Sequence, residues 1–485
     1  MVTFHQHDGP AGQAKRHFER LQFSQLIAEN PNCFGSFAQI ELPPADPFSN
    51  DTSFEELTCV GYNPDLEVLE AVVQIKRSRG YLGYNSSPGS YEYIRFYVDS
   101  GSGFQEVGLV AINVHDLPHG ADGAKQATMP LSYAASVPYT PPHHADCGDP
   151  ALPLVRAILS WQSIPTSPEF PVTWGNSLDR RIPLKPGPKK IAATAENSLE
   201  AGPGTPRKTA VPSLSGPPPD SAPLTLAQLA EMYSGMENQI PKHRFAYLEA
   251  NSALSAPDVS SELLASKMAE FAALKIDWAN TVGALTEKDA DVSFEQLDSV
   301  ALEGTPGSER LIATFRVKQT AGYSGNLCSA GSLEYVAFWA DWDDRRSFTY
   351  LGTVPVKVHD IDRPVDEDLC YMAVFPVDLN AYRQGGEVPK IARIRAVLSW
   401  AVPPSTRNPN ALNFWGNSID TLVCLPATQA GSASKTMSRP TTLSKMFPGS
   451  VPTIAPAPVE RTTRKVPHFA GLFSSRRPTP PALSC

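Results

Sequence analysis

The strongest constraint on this chain is that it repeats itself. "RAILSW" at residues 156–161 returns as "RAVLSW" at 395–400, and four further words match in the same order. "TSFEEL" (52–57) pairs with "VSFEQL" (292–297), and "GSYEYIRFYVD" (89–99) with "GSLEYVAFWAD" (331–341). "NVHDL" (113–117) pairs with "KVHDI" (357–361), and "WGNSLD" (174–179) with "WGNSID" (415–420). The offset stays between 238 and 244. Ordered words at a nearly constant offset mark an internal duplication, so whatever fold one copy adopts must be built twice.

Each matched word reads as a strand. In "LEAVVQIK" the residues Leu69, Ala71, Val73 and Ile75 fall on one face, with Glu70, Gln74 and Lys76 on the other; the partner alternates Leu311, Ala313, Phe315 and Val317. That is a period of two. "EYIRFYVD" is apolar and aromatic almost throughout, as suits a central strand covered on both faces. Gly108, Val110, Ile112 and Val114 fall in register with Gly352, Val354, Val356 and Val358. In the repeated "RA-LSW", Ala157, Leu159 and Trp161 share a face, as do Ala396, Leu398 and Trp400, and the tryptophan reads as a plug that closes a sandwich core. Gly175-Asn176 and Gly416-Asn417 suit a bulge or a left-handed turn. About seven short strands per copy, separated by Gly, Pro and Asn, predict a mainly β chain of two tandem antiparallel β-sandwiches of the immunoglobulin or fibronectin type III kind. A jelly roll or another sandwich topology leaves the same pattern.

The words Glu-Tyr-Val, Val-His-Asp-Ile, "RA-LSW" and "WGN" together resemble modules of uncharacterised bacterial proteins with repeated immunoglobulin-like sandwiches. The resemblance covers both copies, implies a bacterial origin and brings no activity with it.

The boundaries follow from composition. Residues 1–16 are expected to be disordered, and 17–185 form the first repeat with its lead-in. Residues 186–223 hold nine prolines without apolar period and read as a tether. A helical segment is expected at 224–283, opened by the capping-box spacing Thr225-x-x-Gln228. A second helix there, with Asp258 as N-cap, carries an apolar stripe of Leu263, Met268, Phe271 and Leu274 predicted to lie against the second sandwich. The second repeat occupies 284–427. Residues 428–485 read as a disordered tail with eight basic residues and one acid. The net charge is −9, so a +7 tail leaves −16 for the residues before it. Such a body disfavours specific nucleic-acid binding. Within the tail, Phe469, Leu472 and Phe473 form the one apolar island, a candidate docking motif.

No stretch has the length of a membrane span or a signal-peptide core, which predicts a cytoplasmic chain, with non-classical export as the other route. Seven scattered cysteines do not match between the copies and point to a reducing compartment.

Chemistry is sparse. "HHADC" gives His143, His144 and Cys147 as candidate metal ligands, with His115 as a fourth, but the second copy lacks the pair and adjacent side chains in extended chain point apart. In "DWDDRRSF", Asp341, Asp343 and Asp344 read as a charged hairpin tip, because Arg345 and Arg346 stand where a calcium loop needs Gly and carboxylates. The two His-Asp pairs have no nucleophile, and Asp is expected to cap a turn. Glu92 and Glu334 would make a carboxylate site only by meeting another acid, which nothing in the sequence places close. No phosphate-binding glycine loop occurs, and no cofactor is implied. The expected role is non-catalytic binding or scaffolding, in which two tethered modules engage a protein partner by avidity. The competing readings are a metal-dependent hydrolase with its site in the first repeat, and an extracellular adhesin.

Overall fold

The period-two words fold as strands wherever the computed structural model describes them. It describes residues 50–83, 88–117, 129–142, 150–184, 223–256, 259–286, 290–304, 309–343, 345–364, 368–383 and 389–425, all within one compact unit. Of the regions expected to be disordered, 1–16 and 428–485 lie outside these residues, as does 186–223 apart from Pro223.

The chain is mainly β, with fourteen strands and four α-helices among the described residues. In the first half β1 (Glu55–Asn63), β2 (Val68–Ile75) and β5 (Leu131–Pro138) pair in the order β5-β2-β1. The strands β3 (Ser90–Asp99), β4 (Gln105–Val114), β6 (Leu154–Trp161) and β7 (Ser177–Arg181) pair in the order β4-β3-β6-β7. In the second half β8 (Glu295–Glu303), β9 (Glu309–Val317) and β12 (Leu369–Val377) repeat the first order as β12-β9-β8. The strands β10 (Ser332–Asp341), β11 (Thr349–Val358), β13 (Lys390–Trp400) and β14 (Ser418–Leu425) repeat the second as β11-β10-β13-β14. The irregularities repeat too. Register shifts fall between Leu57 and Cys59 and between Leu297 and Ser299, and again between Phe96 and Tyr97 and between Phe338 and Trp339. A bulge occupies a definite place in a strand, so its recurrence at matched positions is a stronger sign of a shared template than strand number alone.

The halves meet along a reciprocal seam. Single parallel bridges join Tyr62 to Tyr371 and Tyr133 to Leu302, and Arg181 to Leu369 and Leu131 to Leu422, so that all fourteen strands are connected, with β8 and β9 branching from the main path. Val72 and Ala134 pack there against Ala301, Ile312, Met372 and Val374. This alters the reading of "LEAVVQIK". Its polar face is covered at Glu70 and Val72, both wholly buried, because there it meets the other half instead of water, while Gln74 and Lys76 stay partly exposed. Arg310 pairs with Glu303 of its own half and reaches across the seam to Glu70 at 3.8 Å and to Ser136 Oγ, to which it donates at 3.2 Å. Burial and the nearby Glu303 charge push the Glu70 carboxyl up to about 8, against the opposing pull of Arg310.

Between the halves lie α1 (Leu226–Met232), α2 (Lys242–Ser255), α3 (Ser261–Ala273) and α4 (Trp278–Thr286). The capping box forms: Thr225 Oγ1 accepts from Gln228 N at 3.3 Å, and Gln228 Oε1 accepts from Thr225 N at 2.9 Å. The cap of α3 is Ser260, whose Oγ accepts from Leu263 N at 3.1 Å, while Asp258 lies outside the described residues. The predicted stripe on α3 is largely open: Phe271 is buried, edge-on to Trp278, but Met268 is 48% exposed. The helix that packs on the second half is α2, through Arg244 and Tyr247. Pro241 ends the sequence pattern of α1, and the same residue is the extended position from which α2 starts.

Candidate functional site: an arginine held in an aromatic and acidic cage

The repeated words converge on one end of each half. In the second half Phe294 precedes β8, Trp400 ends β13, Trp415 precedes β14, and Tyr323 lies in the β9–β10 connection; all are buried. Tyr323 Oη donates to Phe294 O at 2.8 Å, which fixes the ring inside. Into this cage α2 inserts Arg244. Its guanidinium carbon lies 3.8 Å from the Phe294 ring centroid, 4.0 Å from Trp400, 5.1 Å from Trp415 and 5.2 Å from Tyr323. One turn on, Tyr247 meets Trp415 edge-on at 5.0 Å, and His243 stacks on the same indole at 5.5 Å.

The charge is balanced inside the cage. Arg244 Nη1 and Nη2 donate to the two carboxylate oxygens of Glu295 at 3.3 and 2.9 Å, and Nε donates to Gly322 O at 3.0 Å. A planar fork that also stacks on aromatic faces is what Arg offers and Lys does not. Glu334 lies in the field of the same pair: burial and the Glu295 charge drive its carboxyl well above the usual range, only partly opposed by Arg244. Its oxygens have no hydrogen-bond partner. The fold thus supplies the second acid that the sequence does not place near Glu334. Its signal was a Phe-Glu pair present in both copies, Phe54-Glu55 and Phe294-Glu295, within matched words read only as strands.

The first half has the same frame. Phe54, Glu55, Tyr81, Glu92, Trp161 and Trp174 are buried, Tyr81 Oη donates to Phe54 O at 2.9 Å, and Phe54 meets Trp174 edge-on at 5.6 Å. Glu55 and Glu92 are each engaged by a partner. Sealed from water, the Arg244 cage can hold a cation and fasten a helix, but it offers no substrate an approach.

The remaining words have structural duties. Asp116 accepts from Gly80 N, Tyr81 N and Gly83 N, and Asp360 from Tyr323 N, Gly325 N and Tyr233 Oη, at 2.7–3.1 Å. Each clamps the loop that carries the cage tyrosine. His359 approaches Asn326 O at 3.1 Å and is held neutral by burial, which lowers it to about 4. His115 is half-buried and engaged. A side chain at Gly89 would strike His115, and one at Gly331 would strike His359, so each "GS-EY" glycine makes room for its His-Asp histidine. Arg156 forks onto Asp179 at 2.8 and 2.7 Å over Phe104, and Arg395 onto Asp420 at 2.6 and 2.9 Å over Phe348. The Asn176 amide accepts from Leu57 N at 2.7 Å and donates to Leu57 O at 3.0 Å; Asn417 does the same with Leu297 at 2.7 and 3.1 Å. These bonds tie each "WGN" to the first strand of its own half, β1 or β8.

At the second hairpin Asp341 accepts from Arg345 N and Arg346 N, and Asp343 pairs with Lys390. Asp344 lies outside the described residues, as do His143, His144, Cys147, Phe469, Leu472 and Phe473. Among the described residues no group of three or more His, Cys, Asp or Glu side chains is placed to hold a metal, and no helix is long and apolar enough to cross a membrane. No family model and no curated protein matches the chain.

Proposed function

We propose that this chain is a non-catalytic binding or scaffolding protein, in which two tandem immunoglobulin-like β-sandwiches, arisen by duplication, engage a protein partner. The pairing orders support the sandwich reading: a three-stranded A-B-E sheet and a four-stranded C′-C-F-G sheet in each half correspond to the fibronectin type III arrangement. The recurring bulges and matched side-chain contacts support the duplication, and kinship with bacterial repeat proteins belongs to the same reading. One observation carries the binding role. The groups common to both copies, from the cage residues to the clamping aspartates, are spent inside, while the two four-stranded sheets end in the edge strands β4 and β11. An unpaired edge offers main-chain groups to an extended partner segment.

Co-purification with cross-link mapping on the full chain tests this. A reproducible partner cross-linked to β4 or β11 supports it. Deleting 428–485 should leave the strands folded and weaken capture, with Phe469→Ala plus Phe473→Ala reproducing most of the loss. Stoichiometric zinc that disappears in His143→Ala would replace this reading with the hydrolase. A cytoplasmic location is part of the proposal, and Cys328 is its test. Cys59, Cys370 and Cys424 are free, whereas Cys328 is disulfide-bonded. Alkylation in intact cells that reaches Cys328 without a reductant fits the cytoplasm; protection until reduction favours an exported adhesin.

A further inference from the structure

We propose that Cys59 and Cys370 are a disulfide-forming pair, a redox-controlled cross-link that staples the two halves together along one side of the seam. The strands β5, β2, β1, β12, β9 and β8 pair with one another in a closed ring. One face of that ring carries the packed cluster that includes Val72, Ala301 and Met372. Cys59 is paired opposite Val72, and Cys370 stands two residues before Met372, so strand alternation puts both thiols on the face of this cluster. Their strands are joined directly by the Tyr62–Tyr371 bridge. The approach there is close: a Cβ at Gly61 would lie 3.4 Å from Cys370 Cβ and 3.3 Å from its carbonyl oxygen. Both thiols are free and buried. Each acts on the other: the Cys370 thiol holds Cys59 below the usual thiol range against the effect of burial, while Cys59 and burial hold Cys370 well above it. Two thiols with no third ligand suit each other and not a metal, since no group of three or more His, Cys, Asp or Glu among the described residues is placed to hold one.

The duplication supplies a control within the chain. The seam has two equivalent junctions, β1 with β12 and β8 with β5, bridged at the matched positions Tyr62–Tyr371 and Leu302–Tyr133. Ser299 stands where the first junction has Cys59, just past the matched register shift, and Ser132 stands where it has Cys370, second in its strand. Each serine is engaged by a hydroxyl: Ser299 Oγ meets Thr314 Oγ1 at 2.5 Å, and Ser132 Oγ meets Thr421 Oγ1 at 2.6 Å. The scaffold is thus satisfied by hydroxyls, and the other junction differs at both partners at once. The cross-link forms by thiol–disulfide exchange with a low-molecular-weight disulfide such as oxidised glutathione, once the seam opens. The Cys59 thiolate attacks one glutathione sulfur and releases the first glutathione thiol. Cys370 then attacks the Cys59 sulfur and releases the second, and the two protein protons end on the two released thiols. The protein dithiol loses two electrons and the glutathione disulfide gains them. A reducing compartment keeps the pair as thiols, so the staple closes only under oxidising conditions, whatever the two modules bind.

The test incubates the full chain over a series of reduced-to-oxidised glutathione ratios, at a urea concentration just below its unfolding transition, where the seam opens transiently. Acid quenching, alkylation in denaturant and non-reducing peptide mapping should then recover a fragment joining Cys59 to Cys370. Its yield should rise with the oxidised fraction and fall to nothing in dithiothreitol. The comparison protein is Cys59→Ser, which installs the residue used at the other junction and removes the fragment. After removal of urea, the gain in thermal midpoint on oxidation should be about 5 °C larger in wild type than in Cys59→Ser, because the staple closes a very long loop. Should Cys59→Ser fail to fold, Cys370→Ser replaces it, and if both fail the fragment from the wild type decides alone. Cys59 and Cys370 still alkylated after the most oxidising incubation, or joined only to glutathione or to other cysteines, overturn the proposal. An equal gain in wild type and variant overturns it as well.

Discussion

Replacing Arg244 by Met keeps side-chain bulk at the cage while removing its charge. The guanidinium makes two charge-assisted bonds to Glu295 and one bond to Gly322 O, and stacks within about 4 Å of Phe294 and Trp400. Its loss leaves Glu295 buried without a counter-charge, a change that generally costs about 3–5 kcal/mol. Neutralisation limits the ionic part. Glu295 already has its pKa raised from an ordinary value of 4.5 by burial, with Arg244 opposing the rise, and removing Arg244 raises it further. At pH 7, protonating a carboxyl of that ordinary value costs at most about 3.4 kcal/mol, and at pH 5 about 0.7 kcal/mol. A folded pKa above the unfolded one gives stability that is complete below about pH 4.5 and declines as pH rises. The variant should therefore lose about 3–5 kcal/mol at pH 7 and roughly 2 kcal/mol less at pH 5, with Arg244→Met/Glu295→Gln recovering much of the loss at pH 7. Urea unfolding followed by tryptophan fluorescence reads this directly, because Trp400 and Trp415 line the cage. A loss below about 1 kcal/mol at pH 7, an equal loss at both pH values, or no rescue by Glu295→Gln would refute the reasoning.

Three further outcomes follow from the same contacts. Glu70, raised to about 8 at the seam, contributes stability that is complete below its ordinary 4.5 and is lost as pH rises through 8. Glu70→Gln should thus flatten the decline in stability over that window and stabilise the protein at pH 9 by roughly 2–4 kcal/mol in chemical denaturation; an unchanged pH profile would place the ionisation elsewhere. Trp161→Ala and Trp400→Ala should each destabilise by about 3–5 kcal/mol, whereas intact stability with lost partner binding would make these rings ligand platforms. Gly416→Ala, at φ 113°, would drive a Cβ into the Leu398 carbonyl, as Gly175→Ala would at Leu159, so each should lower stability by at least about 1–3 kcal/mol in thermal unfolding.

Local sequence determined a good deal. Alternation marked faces of "LEAVVQIK" and "RA-LSW" that enter the core, where Leu69, Ala71, Val73, Ile75, Trp161 and Trp400 are all buried. Thr225 and Gln228 specified a helix start because a capping box is complete within four residues, whereas the His-Asp aspartates, expected to cap their own turns, accept instead from loops 33–37 positions away, which no local pattern announces. Three features were decided by tertiary structure alone. Arg244 and Glu295 are 51 positions apart, and neither carries a local pattern that names the other. The acid beside Glu334 arrives only when β8 and β10, which do not pair with one another, come together at the cage. The seam is the third: Val72 meets Met372 and Glu70 meets Arg310 across some 240 to 300 residues, so a strand face that reads as polar is buried at Glu70 and Val72. Periodicity reports which residues share a face, but what covers that face depends on free energies of burial and charge pairing that exist only once distant segments have come together.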